Sequence, residues 1–359
     1  MNTPSDNPTD LHAWISEYYG KQLASSADLK TNACCAGGAP PEWIASALSN
    51  VHSDVTDRFY GCGYPIPHGV QGARVLDLGC GTGRDVFVLA QLVGETGHVT
   101  GLDMTDEQLD VARRTQHWHA ERQGYAQSNT SFVKGYIEDL SAFADASFDV
   151  VVSNCVVNLS PRKERVLAEV FRVLKPGGEF YFSDVFADRR LPAVIANDPI
   201  LYAECLGGAL YEFDFQTLAK RTGFDDPRKV ASAPITVNSD EILKRVGTTR
   251  FMSVTWRLFR LAGLDVRCED YGQVAIYRGG IPGAESLFWL DDSHAFQKGR
   301  PEHVCGNTAD MLLHTRFAAF FDVHGSKETH LGVHPCGLTD AAMDAAQSTS
   351  RGDCGPRCC

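Results

Sequence analysis

Between residues 74 and 186 short apolar runs alternate with longer stretches in which apolar positions return every three or four residues. RVLDLGC (74–80), HVTGLDM (98–104), TSFVKGYI (130–137), FDVVVSNC (148–155) and EFYFSDVF (179–186) are β-branched or aromatic and of strand length. TDEQLDVARRTQHWHAERQ and PRKERVLAEVFRVLK have helical spacing. Thr105, three residues before Gln108, offers a capping box, and Ser160-Pro161 predicts a helix start with proline in the first position. KPGG (175–178) predicts a turn into the next strand. This alternation predicts an α/β fold: a doubly wound, mostly parallel sheet with ligands at the carboxyl ends of its strands.

The flanks divide the rest of the chain. Residues 1–72 form an N-terminal segment with its own glycine and cysteine clusters, and 73–186 form the alternating core. Residues 187–262 hold ECLGGALYEF, a helical FDFQTLAKRTGF, a strand-like RKVASAPITV and a long apolar run suited to close the sheet. Residues 263–323 predict a small α+β unit. The remainder, 324–359, ends CGPRCC, lacks apolar periodicity and is expected to be disordered.

Composition narrows the function. The formal charge of −12 argues against a nucleic-acid partner. No apolar run reaches the roughly 18 residues of a membrane span. MNTPSDNPTDLHAW lacks the basic and apolar parts of a secretory signal, so the expectation is a cytoplasmic monomer. Twelve cysteines in 359 residues do not make a small disulfide-dense scaffold, and some need a chemical explanation.

VLDLGCGTGRD places Gly79, Gly81 and Gly83 between the first strand and a helix, with Arg84 where a dinucleotide fingerprint would have its third glycine. Asp103 ends the second strand, where a carboxylate can accept both hydroxyls of a ribose. Ile137 and Glu138 follow the third strand and are placed to flank an adenine. This combination resembles the class I S-adenosylmethionine-dependent methyltransferases over residues 72–262. Asp77 matches that family's acidic position before the glycine loop. Tyr60, Met104 and Asn154 are assigned to the same cofactor site. The resemblance implies S-adenosylmethionine as methyl donor and no metal cofactor.

Such folds often follow the fourth strand with a polar motif that prepares an oxygen or nitrogen nucleophile; here Asn154-Cys155 stands there. Cys62 lies in GCG, Cys205 in ECLGG and Cys34 in TNACCAGG. Thiolates select soft acceptors, and these four show no C-x-x-C pair of the kind that binds zinc. Three thiolates from distant segments suit an element with a stereochemically active lone pair, arsenic(III) above all. With that lone pair facing a sulfonium methyl, the metalloid is itself the nucleophile.

SSADLKTNAC, FYGCG, VVSNCVVNLSP and ECLGGALY, together with GHVTGLDMT and YFSDV, resemble the arsenite S-adenosylmethionine methyltransferase family over nearly the whole chain. The resemblance implies four functional cysteines, Cys34, Cys62, Cys155 and Cys205. Cys155 and Cys205 would hold arsenic in every cycle, Cys62 would complete the site for arsenite, and Cys34 would be its disulfide partner. Arsenite and methylarsenite would arrive as thiol conjugates, and glutathione or thioredoxin would reduce the protein afterwards. Cys35 has no assigned family counterpart. Cys80 is expected to be a small filler, Cys268, Cys305 and Cys336 structural, and Cys354, Cys358 and Cys359 part of the tail. The competing readings are a methyltransferase for an ordinary carbon or oxygen nucleophile and a non-catalytic metalloid-binding protein.

Overall fold

The computed structural model describes residues 8–19, 39–237 and 239–336. Among the described residues three helices precede the sheet: α1 (Pro8–Glu17), α2 (Glu42–Leu48) and α3 (Ser53–Thr56). The main sheet contains β1 (Arg74–Leu78), β2 (His98–Asp103), β3 (Thr130–Lys134), β4 (Phe148–Asn154), β5 (Leu174–Ala187), the two-residue β6 (Leu210–Tyr211), β7 (Arg228–Pro234) and β8 (Phe251–Phe259). Its order is β3-β2-β1-β4-β5-β8-β7, with β6 beside β5. The first five strands run parallel, while β8 is antiparallel to both β5 and β7. The chain leaves β1 towards β2 on one side and reaches β4 on the other, so the loops after β1 and β4 diverge. A crevice opens between them.

Helices α4 (Arg84–Val93), α5 (Asp106–Gln123) and α6 (Lys163–Val173) connect the parallel strands. Both faces of the sheet are covered, as a strand with Val75, Leu76 and Leu78 all fully buried requires. Leu76, Leu78, Phe180, Phe182 and Trp256 pack on one side. Val75, Phe87, Val150 and Val152 pack on the other. Short helices α7 (Ala193–Ala196) and α8 (Pro199–Ala203), then α9 (Glu212–Arg221) and α10 (Asp240–Val246), fill the region between β5 and β8.

The C-terminal unit is β9 (Glu269–Asp270), β10 (Gln273–Tyr277), β11 (Leu287–Trp289), β12 (Ala295–Gln297), β13 (Pro301–Val304), α11 (Gly306–Leu313), β14 (Phe321–His324) and β15 (Gly332–Val333). A buried ion cluster ties it to the sheet: Glu179 of β5 pairs with Arg257 of β8 and with Arg316, just beyond α11. No described helix is long and apolar enough to cross a membrane.

Four local expectations change. Thr105 is the N-cap of α5, but its side chain makes no capping bond; the Gln108 amide instead donates to Tyr19 O at 3.0 Å. Helix α6 begins at Lys163 rather than Pro161, because Arg162 at φ −126° and ψ 59° is not helical; the Ser160 hydroxyl accepts the Arg162 N–H at 3.0 Å and donates to Glu138 at 2.5 Å. KPGG lies within β5 as a register shift against β4, since Gly177 and Gly178 exchange hydrogen bonds with Arg260 at 2.8 and 2.9 Å. The tail expected to be disordered from residue 324 is built into the unit as far as Cys336, where Gly332–Val333 pair with β9.

Candidate active site

The crevice at the carboxyl ends of β1, β2 and β4 is lined by Tyr60, Asp77, Gly79, Gly81, Asp103, Met104, Ile137, Glu138, Asn154 and Cys155. The glycine loop turns with φ of 68°, 53° and 90° at Gly79, Gly81 and Gly83, a run that side-chain-bearing residues avoid. Its purpose differs along the loop. Gly81 faces open space, with the nearest atom 3.9 Å from a would-be Cβ, whereas Gly83 is wedged against Phe87 and Phe132 at 3.1 Å. Gly83 does not line the crevice; it lets α4 start close to the sheet.

Asp103 holds the loop. Its carboxylate accepts the Gly81 N–H and the Thr105 N–H, each at 2.9 Å. Burial pushes Asp103 up from the ordinary carboxylate range, and these N–H donors hold it down. Asp77 is pushed well above that range by burial and then by the Asp85 and Asp103 carboxylates. A cradle with an acid at its rim, an open backbone at Gly81 and an apolar floor at Ile137 fits a nucleoside with a free ribose diol.

The thiols meet beside this crevice. Cys62, Cys155 and Cys205 are all buried in one cluster. The Cys205 thiol donates to Cys155 O at 3.1 Å, and the Cys62 and Cys155 sulfurs are joined. Cys155 and Cys205 sit at φ 57° and 63°, left-handed backbone that strains a residue bearing a Cβ. Gly208 explains how their two loops close on each other, because a Cβ there would strike Asn158 O. Cys155 also lines the crevice, so it belongs to both compartments.

Asn154 fastens the third segment. Its amide donates to Gly63 O and to Asp85 Oδ2, both at 2.9 Å, and its Oδ1 accepts the Gly63 N–H at 3.3 Å. Asp85 is paired with Arg84 at 2.7 Å, and the guanidinium lies 3.0 Å over the Phe59 ring. The loop carrying Cys62 is thus locked against the end of β4.

Residues 70–223 match the family model of a methyltransferase domain, and 271–353 that of an arsenite methyltransferase C-terminal domain. The arsenite methyltransferase of Aquipseudomonas alcaligenes is 54% identical over 325 residues, 90% of this chain and 93% of its own length. The chain belongs to the arsenite methyltransferase family. The human arsenite methyltransferase is 46% identical over 312 residues, covering 86% of this chain and 82% of its own. Among solved structures, CrArsM, an arsenic(III) S-adenosylmethionine methyltransferase from Chlamydomonas reinhardtii, superposes with a TM-score of 0.80 at 48% identity. It covers 82% of this chain and 100% of its own.

The family's expected residues fall out unevenly. Cys34, Cys35, Cys354, Cys358 and Cys359 lie outside the described residues. Cys62 meets Cys155, where the resemblance implied Cys34 as its disulfide partner. Glu138 does more than flank a base: its carboxylate accepts from Ser160 at 2.5 Å and faces His12 Nε2 at 3.1 Å. Cys80 packs under the loop against Gly101 while touching the crevice.

Two groups carry more than the sequence assigned them. Asp184 of YFSDV has a carboxylate oxygen within 4.8 Å of the Cys155 and Cys205 sulfurs. Burial pushes it up to about 7 against donation from the Val185 and Asn158 backbone. Lys163, also pushed down by burial to about 8, donates to Asn158 O and Ser160 O at 3.0 and 2.9 Å. The motif that holds Asp184 was visible, but nothing in it announced proximity to the thiols.

Proposed function

We infer that this chain transfers a methyl group from S-adenosylmethionine to trivalent arsenic held by Cys62, Cys155 and Cys205. The observation that carries the reading is Cys155, which lines the nucleoside-shaped crevice and belongs to the buried thiol cluster. S-adenosylmethionine supplies an electrophilic methyl on sulfur. Asp103 and the open Gly81 backbone hold its nucleoside, and Ile137 lies along the base. The cysteines hold arsenic as the substrate and aim its lone pair towards the crevice. Orientation of this kind contributes roughly 7–11 kcal/mol in well-positioned pairs. No proton need leave the nucleophile, so no general base is required, and no metal ion takes part in the transfer.

Methylation raises arsenic formally from the trivalent to the pentavalent state. Two protein thiolates return the electron pair, become a disulfide and leave trivalent methylarsenic. Glutathione or thioredoxin then reduces the disulfide. The resemblance gives this role to Cys34 with Cys62, and the contact of Cys62 with Cys155 offers a second pairing. Peptide mapping after one turnover without reductant separates the two. We place the protein in the cytoplasm as a monomer that takes arsenite and methylarsenite as thiol conjugates, with neither nucleic acid nor membrane as partner.

The test is chromatographic speciation with arsenite and methylarsenite offered separately, with external thiol present. Cys155→Ser and Cys205→Ser are expected to methylate neither, because a protonated hydroxyl is a poor substitute for a soft thiolate. Cys34→Ser and Cys62→Ser lose arsenite methylation but keep that of methylarsenite, which has only two exchangeable positions. Cys35→Ser changes neither. Substantial turnover by Cys155→Ser or Cys205→Ser would reject the three-thiolate site. Conversion of S-adenosylmethionine with arsenite acting only as inhibitor would favour an ordinary carbon or oxygen substrate.

A further inference from the structure

Three cysteines read from the sequence as structural converge in the C-terminal unit. Cys268 precedes β9, Cys305 is the N-cap of α11 and Cys336 follows β15. Their Sγ atoms all lie within 4.8 Å of one another, and no disulfide joins them among the described residues. None belongs to the unit's apolar core, which is built on Tyr277, Phe288, Phe296 and Phe317. Cys305 is buried, while Cys268 and Cys336 are half-buried at the edge. Packing therefore does not account for the grouping.

The surroundings are those of a ligand set. The Cys305 sulfur receives the Thr308 N–H at 3.5 Å, lies 3.3 Å from the Thr308 hydroxyl, and faces the Arg228 guanidinium at 3.9 Å. Arg228 is itself held by Asp226 and Asp291. Donors of this kind stabilise thiolate ligands and fix their direction. The His334 ring stands beside the trio, outside the set of mutually close sulfurs, with Nδ1 3.3 Å from Cys336 Sγ. That separation is close to the ~3.5 Å edge of a tetrahedron with bonds of about 2.3 Å to sulfur and 2.0–2.1 Å to nitrogen. Backbone bonds set the frame: the His334 N–H donates to Cys268 O, and the Cys336 N–H to His334 O, both at 2.8 Å.

We propose that Cys268, Cys305 and Cys336 form a structural Zn²⁺ site that staples residues 330–336 to the C-terminal unit, with the His334 ring turning in from beside Cys336 as fourth donor. Binding releases the three thiol protons to solvent and leaves the ion four-coordinate, without redox change. The imidazole is what selects zinc over a trivalent metalloid, which three sulfurs alone would satisfy. The trio does not line the crevice, so the ion takes no part in methyl transfer.

The test uses the full chain, reduced, stripped with chelator, reloaded with Zn²⁺ alone and desalted. Elemental mass spectrometry is expected to find one zinc per chain in the wild type and in Cys205→Ser. Cys268→Ser and Cys336→Ser should retain less than a tenth of that. Loading wild type with Co²⁺ gives thiolate charge-transfer absorption and tetrahedral d–d bands, a signature independent of how the variants fold. His334→Ala keeps the charge-transfer band and weakens Zn²⁺ binding at least tenfold. Substoichiometric zinc in the reduced wild type, full zinc in Cys268→Ser, or retention of arsenite but not zinc by this trio would each overturn the proposal.

Discussion

At Asp103 one carboxylate oxygen accepts the Gly81 N–H and the other the Thr105 N–H, so the side chain proposed to hold a ribose also shapes the loop beneath it. Asp103→Ala removes a charged acceptor worth about 1.5–3 kcal/mol per bond to each of two hydroxyls. Calorimetry with S-adenosylhomocysteine should show affinity at least ~100-fold weaker, with arsenite binding retained. Unchanged affinity in a folded variant would remove Asp103 from the site. Asp184 makes a different prediction. With its pKa pushed up by burial to about 7, the folded chain keeps a proton that the unfolded chain loses near 4. Its contribution to stability therefore falls as pH rises through that window, and the penalty is complete above about 7. Asp184→Asn should gain on wild type between pH 5 and pH 8, by an amount on the order of a few kcal/mol. Parallel denaturation curves at both pH values check it; a constant difference would mean Asp184 does not titrate there. Asp103 was legible because it stands at a fixed place after the second strand. Asp184 was not, because only the β5 register and the Cys205 loop bring it to the thiols.

Helix α1 covers the crevice: His12 and Ile15 line it together with Tyr19, just beyond the helix. His12 faces the Glu138 carboxylate at 3.1 Å, the Tyr18 hydroxyl donates to Glu204 at 2.7 Å, and the Tyr19 hydroxyl donates to Ala203 O at 2.7 Å. One short helix thus touches both the crevice wall and the residue next to Cys205. Removing the two carboxylate anchors together, as His12→Ala with Tyr18→Phe, should speed S-adenosylhomocysteine release by at least about tenfold, since each bond to a charged group contributes roughly 1.5–3 kcal/mol. Stopped-flow dissociation measures this, and an unchanged rate would mean α1 does not retain the nucleoside. The strands were legible from β-branched runs, and β8 from its length. The role of α1 was not. PTDLHAWISE shows an ordinary amphipathic segment, and its partners Glu138 and Glu204 lie far along the chain.

Across the whole molecule the junction between sheet and C-terminal unit depends on Glu179, buried between Arg257 and Arg316. Glu179→Ala leaves two guanidinium groups facing each other without an anion, a change that typically costs about 3–5 kcal/mol. Urea denaturation should show that loss, and a cost below about 1 kcal/mol would mean the cluster does not hold the junction. Neither this cluster nor the Cys268, Cys305 and Cys336 trio could be read from spacing, because each is assembled by topology from segments with no shared motif. Cys62, Cys155 and Cys205 were singled out through their flanking residues, and the geometry adds how they meet: left-handed turns at Cys155 and Cys205 and a loop locked by Asn154. The central claim is that these thiols hold the substrate against the crevice. It is tested most directly by an anomalous difference map at the arsenic edge, from reduced crystals soaked with arsenite and S-adenosylhomocysteine. The account predicts a dominant peak bridging the sulfurs of Cys62, Cys155 and Cys205; a dominant peak elsewhere, with those three sulfurs bare, would contradict it.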